Sequence, residues 1–195
     1  MKFKELVAAN RSRRKFDQAR PVDVGTLVEL VDLARLGPSG MNKQPLKYIV
    51  TADQAQCEDV FPLLGWAGYL KEWQGPEPGE RPTGYIIILL DKTIADKAFS
   101  DHGIAAQTMM LGAVEKGLGG CMIGTIKRRK LAELLKLDEQ YEILLVLALG
   151  VPNEKVVIEP LSTDNNIEYW RDADNIHHVP KRGMSEVVLA QYPKG

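Results

Sequence analysis

Hydrophobic positions along this chain switch between a helical and a strand-like rhythm several times, and the switches outline its architecture. The opening "MKFKELVAAN" spaces its apolar residues as a short amphipathic helix does, with Glu5 breaking any uniformly apolar run. In "VGTLVELVDLARL", residues 24–36, the positions Leu27, Val28, Val31, Ala34 and Leu36 gather near one face at helical spacing. Asp23 stands where an N-cap belongs, and Gly37 where the chain leaves the helix. The apolar, β-branched "YIVT" at 48–51 predicts a strand, and residues 53–64 predict a further helix. "YIIILLD", 85–91, is apolar without alternation, as befits a strand covered on both faces.

In the second half, residues 101–117 form the most apolar helical stretch. Ile104, Ala105, Ala106, Met109, Met110, Leu111 and Ala113 wrap most of its circumference, and Gly103 and Gly112 permit close approach. A helix apolar all round is buried, centrally or against another subunit. "GGCMIG" (119–124) then predicts a short strand, "IKRRKLAELLKL" (126–137) a helix, and "ILLVLALG" (143–150) a last buried strand. Beyond Gly150 periodicity fades, which predicts an extended C-terminal arm ending in a short helix near 185–191. Residues 65–84 carry Trp66, Tyr69 and Trp73 among several prolines and glycines, so they read as a structured excursion and not as a linker. The alternation predicts one domain, 1–195, mixing α and β in three layers.

Composition narrows the function classes. A chain of 195 residues, 45% of them hydrophobic, can bury one sizeable core. A net charge of −1 with dispersed basic residues carries no footprint for nucleic acid. No apolar run approaches the ~18 residues of a membrane-spanning helix. Cys57 and Cys121 lie too far apart for a metal-ligand spacing, and a cytoplasmic setting without a metal is expected.

Several motif readings fail on spacing. The glycines of "KGLGGCMIGT" lie between a helix and a strand, whereas a dinucleotide fingerprint needs strand, glycines, then helix. They could still bring the backbone near Ile123 and Gly124 close to a flat ligand. His177 and His178 are neighbours, so on a strand they face opposite ways and cannot share a metal; they read as surface or hinge residues. His102 beside Asp101 reads as a polar helix cap before it reads as a general base. "KRRK", 127–130, opens a helix and reads as solvated. No Gly-x-Ser-x-Gly, Walker A or His-Glu-x-x-His pattern occurs.

Two polar segments remain. In "RSRRKF" an extended backbone would turn Arg11 and Arg13 one way and Ser12 and Arg14 the other, offering fixed charge and forked donors to a phosphate. In "GPSGMNKQP" Ser39, Asn42 and Gln44 offer donors and acceptors between Pro38 and Pro45, and Pro45 is expected to hold Gln44 extended. Each segment alone is compatible with a solvated turn as well as with a site.

In this order, however, they resemble the FMN-dependent nitroreductase family, with its Arg-Ser-x-Arg-x-Phe/Tyr and Pro-Ser-x-x-Asn-x-Gln-Pro-Trp patterns. "DHGIAAQTMMLGAVEKGLG" running into "GCMIG", "ILLVLALGVP" and "VPKRGMSEVV" extend the likeness across roughly residues 5–190. The resemblance implies an α+β three-layer sandwich whose central, mostly antiparallel sheet is flanked by helices. It also implies a homodimer that exchanges an extended C-terminal arm and holds FMN at the subunit interface. Arg11 and Ser12 would contact the phosphate and ribityl chain, and Arg14 the N1/O2 edge of the flavin, where positive charge favours the reduced ring. Pro38, Ser39, Asn42 and Gln44 would touch the ring and ribityl chain; Ile123 and Gly124 would lie near N5; Lys181 and Arg182 would complete the phosphate clamp. Trp66, Tyr69 and Trp73 would be candidates for a substrate lid, or for packing. NADH or NADPH would reduce the flavin in a ping-pong cycle ending on a nitroaromatic, quinone or similar small acceptor, with no dedicated acid–base residue. The alternatives are a reductive dehalogenase or flavin-modifying relative, and a non-catalytic FMN-binding or storage protein. Asn10 stands where many relatives are basic, and Leu46 where Trp is common.

Overall fold

The computed structural model describes residues 1–193. Its contacts sort the chain into two compact units, one of Met1–Trp66 with Gln74–Asn153, the other of Ala67–Trp73 with the chain from Glu154 onward.

The first unit is built on a four-stranded sheet of β1 (Leu46–Thr51), β2 (Gly84–Asp91), β3 (Gly119–Ile123) and β4 (Tyr141–Gly150), in the order β1-β2-β4-β3. Every neighbouring pair is antiparallel. Helices α1 (Phe3–Ala9), α2 (Val24–Arg35), α3 (Gln54–Val60), α4 (Asp101–Glu115) and α5 (Arg128–Leu135) complete the unit. The central β2 is buried at every position, as its unbroken apolar run requires. Alternate β2 side chains feed two cores: Ile86 and Ile88 pack with α2 and α4, while Tyr85, Ile87 and Leu89 pack with α3 and α5. The three layers expected from the sequence follow from that alternation.

The helix ends have local causes. Asp23 and Asp53 each accept a backbone N–H three residues on, at 3.0 and 2.8 Å, and so open α2 and α3. Pro62 tightens the rest of the predicted 53–64 helix into a single 3₁₀ turn, Phe61–Leu63. Lys136 adopts a left-handed conformation and stops α5 short of the predicted 137. Helix α4 is not buried all round, because Ile104, Gly103 and Gln107 lie outside while Ala105, Ala106, Met109, Met110 and Ala113 turn inward. Gly112 lets it approach α2, since a Cβ there would sit 3.0 Å from the buried Leu30.

The second unit contains strands within the segment expected only as an extended arm. It holds a three-stranded sheet of β5 (Val156–Pro160), β6 (Trp170–Arg171) and β7 (His177–Lys181), ordered β5-β7-β6, with β5 and β7 parallel. These strands are short, and β5 and β7 carry prolines, so their alternation is too brief to register in the sequence. The terminal helix α6 is a single turn, Met184–Val187, shorter than the predicted 185–191. His177, read as a surface or hinge residue, is 1% exposed, and His178 on the opposite face is half-buried. His178 sits between Glu159 (Nδ1, 3.0 Å) and Asp172 (Nε2, 3.1 Å) and stacks on Trp170 at 4.1 Å. Arg171 forms an ion pair with Glu154 at 3.0 Å and lies over the Trp73 ring at 4.4 Å.

Candidate functional site

The arginine segment docks on the free edge of β3. Ser12 bridges to Gly120, and the Arg13 N–H donates to the Gly120 carbonyl at 2.8 Å. Phe16 anchors the far end: it is fully buried, bridges to Pro152 and lies so close to Gly150 that an added Cβ would sit 2.8 Å from its ring. Pinned at both ends, the segment draws Arg14 inward until it is 9% exposed. Its Nη1 donates to the Ser12 carbonyl at 3.5 Å.

Arg11 donates from Nη2 to the Val7 carbonyl at 3.1 Å, at the C-terminal end of α1, while its Nε is buried with no partner. Burial pulls its pKa below the ordinary value. A buried donor left unmade costs about 1–3 kcal/mol, which an anionic ligand would recover. Farther along the same edge, Ile123 is buried in the second core, and Gly124 is exposed with open space where a side chain would be. The donor chemistry and the open backbone fit a ligand with a phosphate at one end and a flat ring at the other.

The second motif forms a tight loop before β1. The Ser39 hydroxyl donates to Asp101 Oδ2 at 2.6 Å and accepts the Gln44 N–H at 2.9 Å, while the Gly40 N–H donates to Asp101 Oδ1 at 2.9 Å. The Ser39 proton is therefore committed within the protein, so Ser39 shapes the loop. Gln44 Nε2 reaches the Asn42 Oδ1 and carbonyl, each at 3.2 Å. Pro38, Asn42 and Gln44 are exposed. Met41, Asn42 and Gln44 all have φ between 52° and 54°, so Gln44 is left-handed and not extended as Pro45 suggested. Each such residue costs about 1 kcal/mol or more, and the Asp101 clamp offsets it. The loop also lines a cavity of ≈ 230 Å³ with Tyr48 and Asp101, where burial and then the Asp101 charge push the Tyr48 pKa up.

The sheet holds these two segments at opposite corners. Ser12 lies at Gly120, level with Gly84 on the β3 edge, whereas the loop enters β1 level with Leu90 on the other edge. Three strand spacings and six residues of rise give a diagonal of about 25 Å. Helix α4 runs from Asp101 beside the loop toward Gly119, and its 15 residues span about 22 Å in agreement. One chain does not bring the two motifs together.

The aromatic candidates are engaged in packing. Trp66 packs at a tilt against Phe61, with centroids 5.5 Å apart, and against Gly75, where an added Cβ would sit 2.8 Å from its ring. Tyr69 meets Tyr169 edge-on at 4.9 Å, and Trp73 lies under Arg171. Lys181 ends β7, and Arg182 Nη1 bonds Glu186 at 3.0 Å. His102 follows Asp101 in the first turn of α4 with its Nδ1 buried. Sequence reasoning missed Asp101, whose partner Ser39 lies 62 positions away; an acidic first turn was its only signal. Among the described residues no helix is long and apolar enough to cross a membrane, and no three His, Cys, Asp or Glu cluster as metal ligands.

Comparison with known proteins bears on the family and the fold. The Nitroreductase family model matches residues 7–151. The chain is 24% identical to a 4-nitrobenzoate reductase of Pseudomonas putida, covering 82% of this chain and 89% of that protein. It is 22% identical to an iodotyrosine deiodinase of Thermotoga neapolitana, covering 77% and 88% respectively. A solved nitroreductase family protein from Clostridium difficile 630 superposes over 100% of both chains with a TM-score of 0.68 at 20% identity. An FMN-dependent nitroreductase from Clostridium difficile R20291 gives a TM-score of 0.64 at 23% identity, over 77% and 87%. At these identities the solved structures speak for the fold.

Proposed function

The chain belongs to the nitroreductase family, and from that premise we propose that it is an FMN-dependent NAD(P)H oxidoreductase acting as a homodimer, with residues 1–195 serving as one FMN-binding domain. The observation that carries the reading is the pinned arginine segment, whose buried, partnerless Arg11 Nε and inward-drawn Arg14 suit an anionic cofactor. When bound, FMN would supply the redox chemistry, accepting a hydride from NADH or NADPH and passing electrons to a nitroaromatic, quinone or similar small acceptor. Arg11 and Ser12 hold the phosphate and ribityl chain, and Arg14 sets positive charge beside the N1/O2 edge. Ile123 and Gly124 offer backbone groups near N5, and the open space at Gly124 leaves room for the ring. Lys181 and Arg182 add charge to the phosphate.

The diagonal separation of the motifs supports the dimer. Pro38, Ser39, Asn42 and Gln44 of one subunit then serve the flavin gripped by the arginines of the other, and the C-terminal arm is exchanged between them. No side chain is required as acid or base; the protein's task is orientation and charge.

The test is the visible spectrum of the purified protein with its heat-released chromophore, followed by the Arg14→Ala variant. Stoichiometric FMN is expected, with weaker FMN retention and slower reduction by NAD(P)H in Arg14→Ala. A colourless protein that takes up no added FMN overturns the reading, and an unchanged Arg14→Ala removes that residue's role. Reoxidation by a nitroaromatic or quinone separates the enzyme from an FMN store, and an iodinated phenol in the acceptor panel tests reductive dehalogenation.

A further inference from the structure

A second cavity, of ≈ 290 Å³, opens on the α3 side of the first unit. None of Arg11, Ser12, Arg14, Ile123, Gly124 or the 38–44 loop lines it. Its walls are apolar where Pro21, Cys57, Phe61 and Pro82 face it; Gln18, Gln54, Glu58 and Thr83 add polar groups, and two further donors each carry a buried atom without a partner. The first is Tyr85, which is 0% exposed and whose hydroxyl has no partner. The second is Arg81, whose guanidinium lies 4.3 Å from the centre of the Phe61 ring and whose Nε is buried without a partner.

Hydrogen bonds and ring packing brace this corner. Gln18 Oε1 accepts the Gly79 and Arg81 N–H groups at 2.8 and 3.3 Å, fixing the backbone that carries Arg81. Phe61 is braced from behind by Trp66. Two desolvated donors, one of them cationic, each forgo about 1–3 kcal/mol until an acceptor meets them. A carboxylate supplies two acceptor oxygens and the matching charge. The Glu58 carboxylate also lines the cavity, but it is exposed and accepts a bond from Gln54 at 3.1 Å, so solvent screens it, while the Tyr85 hydroxyl and the Arg81 Nε are buried. At about 30 Å³ per water-sized occupant the volume takes about ten non-hydrogen atoms.

We propose that this cavity is a binding site for a small aromatic carboxylate, its ring between Pro21, Pro82 and Phe61 and its carboxylate between Arg81 and Tyr85. The site is separate from the flavin site and stands whether or not the oxidoreductase reading does. The test is calorimetric titration of the purified protein with benzoate, and with benzylamine as the cationic counterpart of similar size.

Benzoate is expected to bind once per chain without changing the visible spectrum of any flavin present, and benzylamine not to bind. Tyr85→Phe, which removes one oxygen and keeps the ring, is expected to weaken benzoate about tenfold or more, and Arg81→Met likewise. Circular dichroism and thermal unfolding establish that each variant is folded. No benzoate binding in the millimolar range overturns the proposal. So does equal affinity in the parent and Tyr85→Phe, or binding that perturbs the flavin spectrum and ignores Tyr85.

Discussion

Asp101→Asn tests whether the strained loop depends on a single buried carboxylate. Asp101 is 6% exposed and receives the Ser39 hydroxyl at 2.6 Å and the Gly40 N–H at 2.9 Å. Asparagine has one acceptor oxygen, so it keeps the Gly40 bond, loses the acceptor for the Ser39 proton and loses the charge. A hydrogen bond to a charged group contributes ~1.5–3 kcal/mol, and an acid in the first turn of a helix adds ~0.3–1 kcal/mol. The expected loss is therefore about 2–3 kcal/mol, since Asn still donates to Ser39 Oγ. For a protein of this size each kcal/mol lowers Tm by about 2–4 °C, which gives a fall of about 4–12 °C. The assay is thermal unfolding followed by circular dichroism, beside an FMN titration. FMN is expected to bind more weakly, because Met41, Asn42 and Gln44 relax from φ near 52° once the clamp loosens. Ser39→Ala breaks the same clamp, so the double variant should be less destabilised than the sum of the singles. A Tm within about a degree of the parent, with additive losses and unchanged FMN affinity, refutes the clamp.

Gly120→Ala would place a Cβ against the Ala148 carbonyl oxygen and 2.8 Å from Leu149 Cδ2. Backbone cannot give way as a side-chain tip can, so a loss of about 1–3 kcal/mol in thermal unfolding is expected. FMN affinity should fall with it, because Arg13 hangs from the Gly120 carbonyl. In the second unit, the hydrogen bond to Asp172 first, and Glu159 after it, raise the His178 pKa above its ordinary 6.5, against the opposing effect of desolvation. The His178 bond holds Asp172 below its ordinary 3.8. A raised histidine stabilises below about pH 6.5 and loses that contribution as pH rises through its folded value; a depressed carboxylate stabilises above about 3.8 and loses it as pH falls. Protection of the β6 and β7 amides from hydrogen exchange, taken relative to the intrinsic rate at each pH, should be greatest between those limits, and His178→Gln should flatten the profile. A profile unchanged in the variant removes the role of His178.

Most of the first unit was legible because its signals are local. An eight-residue strand buried on both faces must be apolar throughout, and β2 is. Asp23 announces its helix because the side chain that caps and the N–H it captures lie three positions apart. The second unit was illegible for the converse reason. β6 has two residues, and a period cannot be read from two positions. What holds that unit together is pairwise, Arg171 to Glu154 and to Trp73, and Tyr69 to Tyr169, at separations no window spans.

The same division runs through the candidate site. Sequence by itself determined which side chains could meet a phosphate and a ring, because guanidinium, hydroxyl and amide chemistry belongs to the residue wherever it sits. Tertiary structure decided what each is free to do. It drew Arg14 inward by anchoring Phe16, spent the Ser39 proton on Asp101, and turned Gln44 left-handed against the bias of Pro45. It also set the two motifs at opposite corners of one sheet, because β1 and β3 are its two edges. Strand order is a matter of which edges pair, and pairing is chosen by the burial of whole faces, which no local stretch of residues records.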